Sequence, residues 1–273
     1  MMSFRTRKIR NAALIIVVAI SLLVFYPVFA VSLAVQQYYS GWILVCLVLV
    51  LLLFGVKKRF ANVIGGSNSA WAQYHYCIGW ILSFVLLIHV EWTVPQGLFE
   101  QTLAMTFSFV FLVGVIGLML NRTYARRLAS LDFEVRYEQI QQRIFDLKSE
   151  VETKLLESVK ESKSTTLADY YFEELSDYFS DTTDFFEHLI GSSRSHAKRQ
   201  RALEYQLRYL NGNEAKFVVS LVDFVRQKHV LDCHAALQNT LKSWGVLHAP
   251  MGMVLVGMIL LHIVLVYAFR GAM

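Results

Sequence analysis

WAQYHYCIGWILSFVLLIHVEW, residues 71–92, decides how the chain is read, and WGVLHAPMGMVLVGMILLHIVLVYAF, residues 244–269, repeats its message. Each stretch is apolar and long enough to cross about 30 Å of hydrocarbon as a helix. Each also holds two histidines fourteen residues apart, His75 and His89 in the first, His248 and His262 in the second. Fourteen residues of α-helix make just under four turns and rise about 21 Å, so the rings of a pair point to nearly the same face at opposite depths. An imidazole is costly to bury in lipid, which makes a membrane histidine a functional candidate with a metal as its obvious partner.

Working outward, three further apolar runs lie at 11–35, 41–56 and 102–120, and the interiors of all five are free of Lys, Arg, Asp and Glu. With 55% hydrophobic residues and a mean hydropathy of +0.43 in 273 residues, the composition is that of an integral membrane protein in contact with lipid. Basic residues set the orientation, because they gather in cytoplasmic loops. Arg5, Arg7, Lys8 and Arg10 precede the first run, Lys57, Lys58 and Arg59 follow the second, and Arg122, Arg126 and Arg127 follow the fourth. The expected topology therefore has a cytoplasmic N-terminus and an external C-terminus, in a bacterial-type inner membrane or a plasma membrane. A secretory signal ending at Val28-Phe29-Ala30 is the competing reading of the first run, but the apolar run continues past Ala30.

Between the fourth and fifth runs stands a polar insert of about 120 residues, too long for a loop without structure of its own. Val135, Ile140, Ile144, Leu147, Val151 and Leu155 recur at spacings of mostly three to five, which predicts an amphipathic helix over 133–159. A second helix is expected over 167–190, closed by Gly191-Ser192-Ser193. Asn211-Gly212-Asn213 separates a third from a fourth that runs toward Trp244. The expected fold is an all-α integral membrane protein, a five-helix transmembrane bundle with a helical cytoplasmic insert, divided as 1–120, 121–241 and 242–273. Within the insert, an acidic run (Asp169, Glu173, Glu174, Asp177, Asp181, Asp184, Glu187) precedes a basic one (Arg194, Lys198, Arg199, Arg201, Arg208). Such segregation either pairs neighbouring helices or presents a docking surface. Tyr170, Tyr171, Phe172, Tyr178, Phe179, Phe185 and Phe186 read as packing residues.

The repeated interval predicts two haem groups, each held by two histidines: His75 with His248 on the cytoplasmic side, His89 with His262 on the outer side. Gly79 and Gly252 follow His75 and His248 by four residues, and Gly257 precedes His262 by five, removing side chains where a flat macrocycle would rest. Glycines also serve ordinary helix contacts. The competing view is that the four histidines only tie helices together. Covalent attachment is not expected, because Cys233-His234 has Val230 where a C-x-x-C-H motif needs its first cysteine. His229, Cys233 and His234 form a weaker metal candidate, since His and Cys four apart share a helix face but a fourth ligand, His188 or His196, has no supporting spacing.

Paired histidines fourteen apart on two membrane helices resemble the dihaem b-type cytochromes, the cytochrome b and ferric-reductase-like groups. The resemblance covers the membrane part and not the insert, and placement on the third and fifth runs is nearer the ferric-reductase-like arrangement. It implies two haem b groups and electron transfer across the membrane. The implied partners are a redox protein such as an extracytoplasmic c-type cytochrome, or quinone, within a hetero-oligomeric redox complex. No nucleic-acid partner is expected. The chain departs from the family in lacking a sixth run, and it carries no flavin or nicotinamide motif, Gly65-Gly66-Ser67 being neither G-x-G-x-x-G nor a P-loop. Two other function classes stand beside this one: a non-enzymatic membrane scaffold or sensor, and a self-contained metalloreductase.

Overall fold

The computed structural model describes residues 36–59, 67–162, 165–207, 210 and 212–269. The expected first span, its preceding basic residues, Gly65, Gly66, Arg208, Asn211 and Arg270 lie outside them. Among the described residues the chain is all-helical, without strands. It divides into two compact units, one formed by the described residues up to Leu118 together with those from His248 onward, the other by Met119–Leu247.

Among the described residues four helices are long and apolar enough to cross a membrane: α1 (Gln36–Arg59), α2 (Asn68–His89), α3 (Leu98–Leu128) and the last helix, which runs over Gly212–Phe269. Ser67 caps α2 by accepting the Ala70 amide on its hydroxyl. At the other end Glu91 and Trp92 take positive φ values of 53° and 59°, reversing the chain within a few residues. Leu82, Val85 and Ile88 form the buried face of α2. Leu53, Leu112, Ile116, Met253 and Leu260 stay exposed. Large apolar side chains left outward on such helices suit a hydrocarbon solvent and would be a liability in water.

The second unit has a core of its own. A 3₁₀ turn at Tyr137–Gln139 leads into α4 (Ile140–Ser162), whose Ile140, Ile144, Leu147, Val151 and Leu155 are all buried, as the periodicity predicts. The helix expected over 167–190 is broken. It appears as α5 (Thr166–Tyr170), a π-helical turn at Tyr171–Leu175, α6 (Ser176–Ser180) and α7 (Phe185–Ile190). Short polar side chains at Ser180, Asp181, Thr182 and Thr183 compete with helical bonding there, and the buried Lys228–Asp232 pair supplies what the helix would have satisfied. Lys228 donates to the Asp181 carbonyl at 2.7 Å and Thr183 to Asp232 at 3.2 Å. Of the aromatics expected to pack, Tyr171, Tyr178 and Phe179 do, whereas Phe172, Phe185 and Phe186 are exposed. Next comes α8 (Arg194–Gln206), and the last helix is α9. Its apolar part is 244–269, preceded by a charged stretch in which Phe217, Val218, Leu221 and Val225 enter the core of this unit.

Candidate functional site

Helix α2 carries His75 and His89, α9 carries His248 and His262, and α1 and α3 wall them in. The His75 and His248 rings stand 6.4 Å apart between centroids, at 79° to each other. Phe54 of α1 lies beside His75 at 5.2 Å. Gly114 of α3 faces His248 so closely that a Cβ there would meet the ring at 3.4 Å. At the other level Gly41 of α1 stands against His89, where a Cβ would come within 3.3 Å of Cε1. Phe99 stacks on His262 at 6.3 Å. Nδ1 of His262 is buried without a hydrogen-bond partner.

Ser40 Oγ lies 3.1 Å from the Gln37 carbonyl, to which it can donate, and 2.9 Å from His89 Nδ1. With the hydroxyl proton on the Gln37 side, Nδ1–H of His89 donates to Ser40 and the Nε2 lone pair is available to a metal, the arrangement in which an outer partner orients a ligating imidazole.

The glycines separate into two groups. A Cβ on Gly79, Gly252 or Gly257 would meet nothing within 4 Å, so these three are not close helix contacts and leave open space along the histidine-bearing helices. Gly41 and Gly114, which touch histidine rings, carry no signal in the sequence beyond being glycines in apolar runs. Of the basic residues near the ends of the apolar runs, Lys57 is buried, while Lys242, just before the last run, lies over the Tyr137 ring at 4.0 Å.

In the other unit, the trio His229, Cys233 and His234 is rearranged. His234 donates from Nε2 to the Phe133 carbonyl at 2.8 Å and accepts the Gln238 amide on Nδ1 at 3.1 Å, which occupies both nitrogens. His188 takes its place. Its Nδ1 is 3.2 Å from Cys233 Sγ, and His229 Nε2 is 3.9 Å from the same sulfur. One ligand atom from each of His188, His229 and Cys233 falls within 4.8 Å of the others. His196 of α8 stacks on His229 at 4.2 Å. Burial lowers His188 and His196 below the ordinary imidazole range, and burial with the neighbouring His196 and His188 brings His229 to about 4. The Cys233 thiol is pushed up to about 11 by burial.

No known protein family, curated protein or solved structure matches the chain. Among the described residues, four helices have the length and apolar composition of membrane-spanning helices, the pattern of a membrane protein.

Proposed function

We propose that the membrane part is a dihaem b-type cytochrome that carries electrons between the two membrane faces, as one subunit of a redox complex. The observation that carries the reading is the 6.4 Å separation of the His75 and His248 rings. Two imidazole nitrogens bound at about 2 Å on opposite sides of one metal put their ring centroids roughly 6 Å apart. Support at the second level comes from the Ser40 hydroxyl placed 2.9 Å from His89 Nδ1 and the unpartnered Nδ1 of His262. The open space beside Gly79 and Gly252 suits a flat macrocycle.

His75 and His248 would hold one haem b and His89 and His262 the other, and bis-histidine haem supplies one-electron transfer without an open site for oxygen. The chain's own part is to supply four neutral imidazoles, to orient His89 through Ser40, and to surround all four with apolar side chains that keep water away. The basic clusters at 57–59 and 122–127 support a cytoplasmic N-terminus and insert and an external C-terminus, with a fifth span at 11–35. Asp169, Glu173, Glu174 and Asp177 remain exposed around an exposed Phe172, a surface suited to a basic redox partner in the cytoplasm.

The test is an optical spectrum of the purified full chain. Reduction is expected to give a Soret band and a sharp α-band, with two haem b per chain extractable by acid acetone. His75→Ala or His248→Ala should remove one haem and spare the second. A second reading, histidines as helix ties, is favoured by the Ser40–His89 bond joining α1 to α2. Colourless pure protein decides for it.

A further inference from the structure

The geometry points to a metal site in the second unit: we propose that Cys233, His188 and His229 bind a zinc-like divalent ion, independently of the membrane histidines. Around a tetrahedral ion with bonds of about 2.3 Å to sulfur and about 2.0 Å to nitrogen, a sulfur and a nitrogen ligand stand roughly 3.5 Å apart. The two Sγ–N separations, 3.2 and 3.9 Å, bracket that value. A thiolate with two imidazoles is a donor set that selects zinc, cobalt or similar ions over magnesium and calcium.

The site is assembled from two directions and held there. His229 and Cys233 are one turn apart on a single face of α9. His188 is carried by α7, whose last carbonyls, those of His188 and Leu189, are gripped by the Arg127 guanidinium. Gly191 closes α7 at φ 86°. His188 is only 2% exposed, yet its Nε2 has no hydrogen-bond partner. Ligation through Nδ1, the nitrogen that faces the thiol, would leave the ring's proton on Nε2. Binding releases the Cys233 proton to solvent and leaves a thiolate–metal bond, with no change in oxidation state. Three protein ligands leave a fourth position, beside which His196 stacks on His229.

The experiment uses the full-length chain with Cys46→Ala and Cys77→Ala, so that Cys233 is the one thiol. After chelator treatment it is titrated with Co²⁺ alone and followed as a difference spectrum. One equivalent should produce a thiolate-to-cobalt charge-transfer band, erased by an equivalent of Zn²⁺. His188→Ala and His229→Ala should each weaken binding at least tenfold, while His75→Ala should leave the band untouched. Because the band in the Cys46/Cys77 background itself identifies the thiolate, the result stands even where a histidine variant does not fold. Absence of the band, or its persistence at full affinity in both histidine variants, overturns the proposal. Haem-free protein that still gives the band would reject the cytochrome reading and leave this site standing.

Discussion

Three residues outside any sequence motif hold side chains in place, Ser40 in the first unit and the Lys228–Asp232 pair in the second. Ser40 Oγ lies 2.9 Å from Nδ1 of His89, so Ser40→Ala should weaken the haem site proposed at His89 and His262 roughly tenfold, as loss of a partner behind a ligating histidine commonly does. The expected readout is a selective fall in outer haem occupancy, with the His75/His248 haem keeping its spectrum. An unchanged haem-to-protein ratio would remove Ser40 from the account. Lys228 and Asp232 have fully buried side chains bonded at 2.7 Å. Burial draws both toward their neutral forms, Asp232 up to about 6 and Lys228 down, and their contact opposes this. Lys228→Met leaves the carboxylate alone and should cost about 3–5 kcal/mol. Hydrogen exchange of the core amides around Val218 and Val225 measures that loss, and Lys228→Met combined with Asp232→Leu should recover most of it.

At the scale of the element, α7 is six residues long and cannot be stable by propensity. It persists because Arg127 binds its final carbonyls and Gly191 turns left-handed behind it. A Cβ at Gly191 would be strained by φ and would press on that guanidinium at 3.4 Å. Gly191→Ala should therefore cost about 1–2 kcal/mol, read as faster exchange at residues 185–191 and as weaker cobalt binding through His188. Wild-type exchange there would show that the cap is dispensable. Helix α9 raises a different question, since Pro250 lies inside it, two residues after His248. The proline removes the amide that would bond the Val246 carbonyl, a loss that membrane helices tolerate when neighbouring groups compensate.

For the whole molecule, the two proposals assign separate chemistry to the two units of one chain. Replacing 130–241 by a flexible linker long enough to return the last span to the membrane should preserve the bis-histidine spectrum and abolish electron uptake from the cytoplasmic donor. A properly inserted but haem-free product would mean that the second unit builds the haem sites. Full physiological turnover would mean that docking lies elsewhere.

What the sequence by itself determined is what short-range periodicity and solvent preference control. Uncharged runs of membrane length mark α1, α2, α3 and the end of α9, and the stripe Ile140 to Leu155 marks the buried face of α4. Both signals are local, because a helix's own 3.6-residue repeat assigns each side chain to a face. Tertiary structure alone decided that the 167–190 segment breaks at 181–184, where a lysine forty-seven residues away takes over a backbone carbonyl. It also decided that His188, not His234, joins Cys233, and that Gly41 and Gly114 are the glycines against the rings. Spacing cannot show such pairings, because they join residues whose separation along the chain says nothing about their distance in space. His234 has one nitrogen engaged by Phe133 at the start of the insert and the other by Gln238 one turn along α9, while the polar turn before Asp184 brings His188 to the thiol.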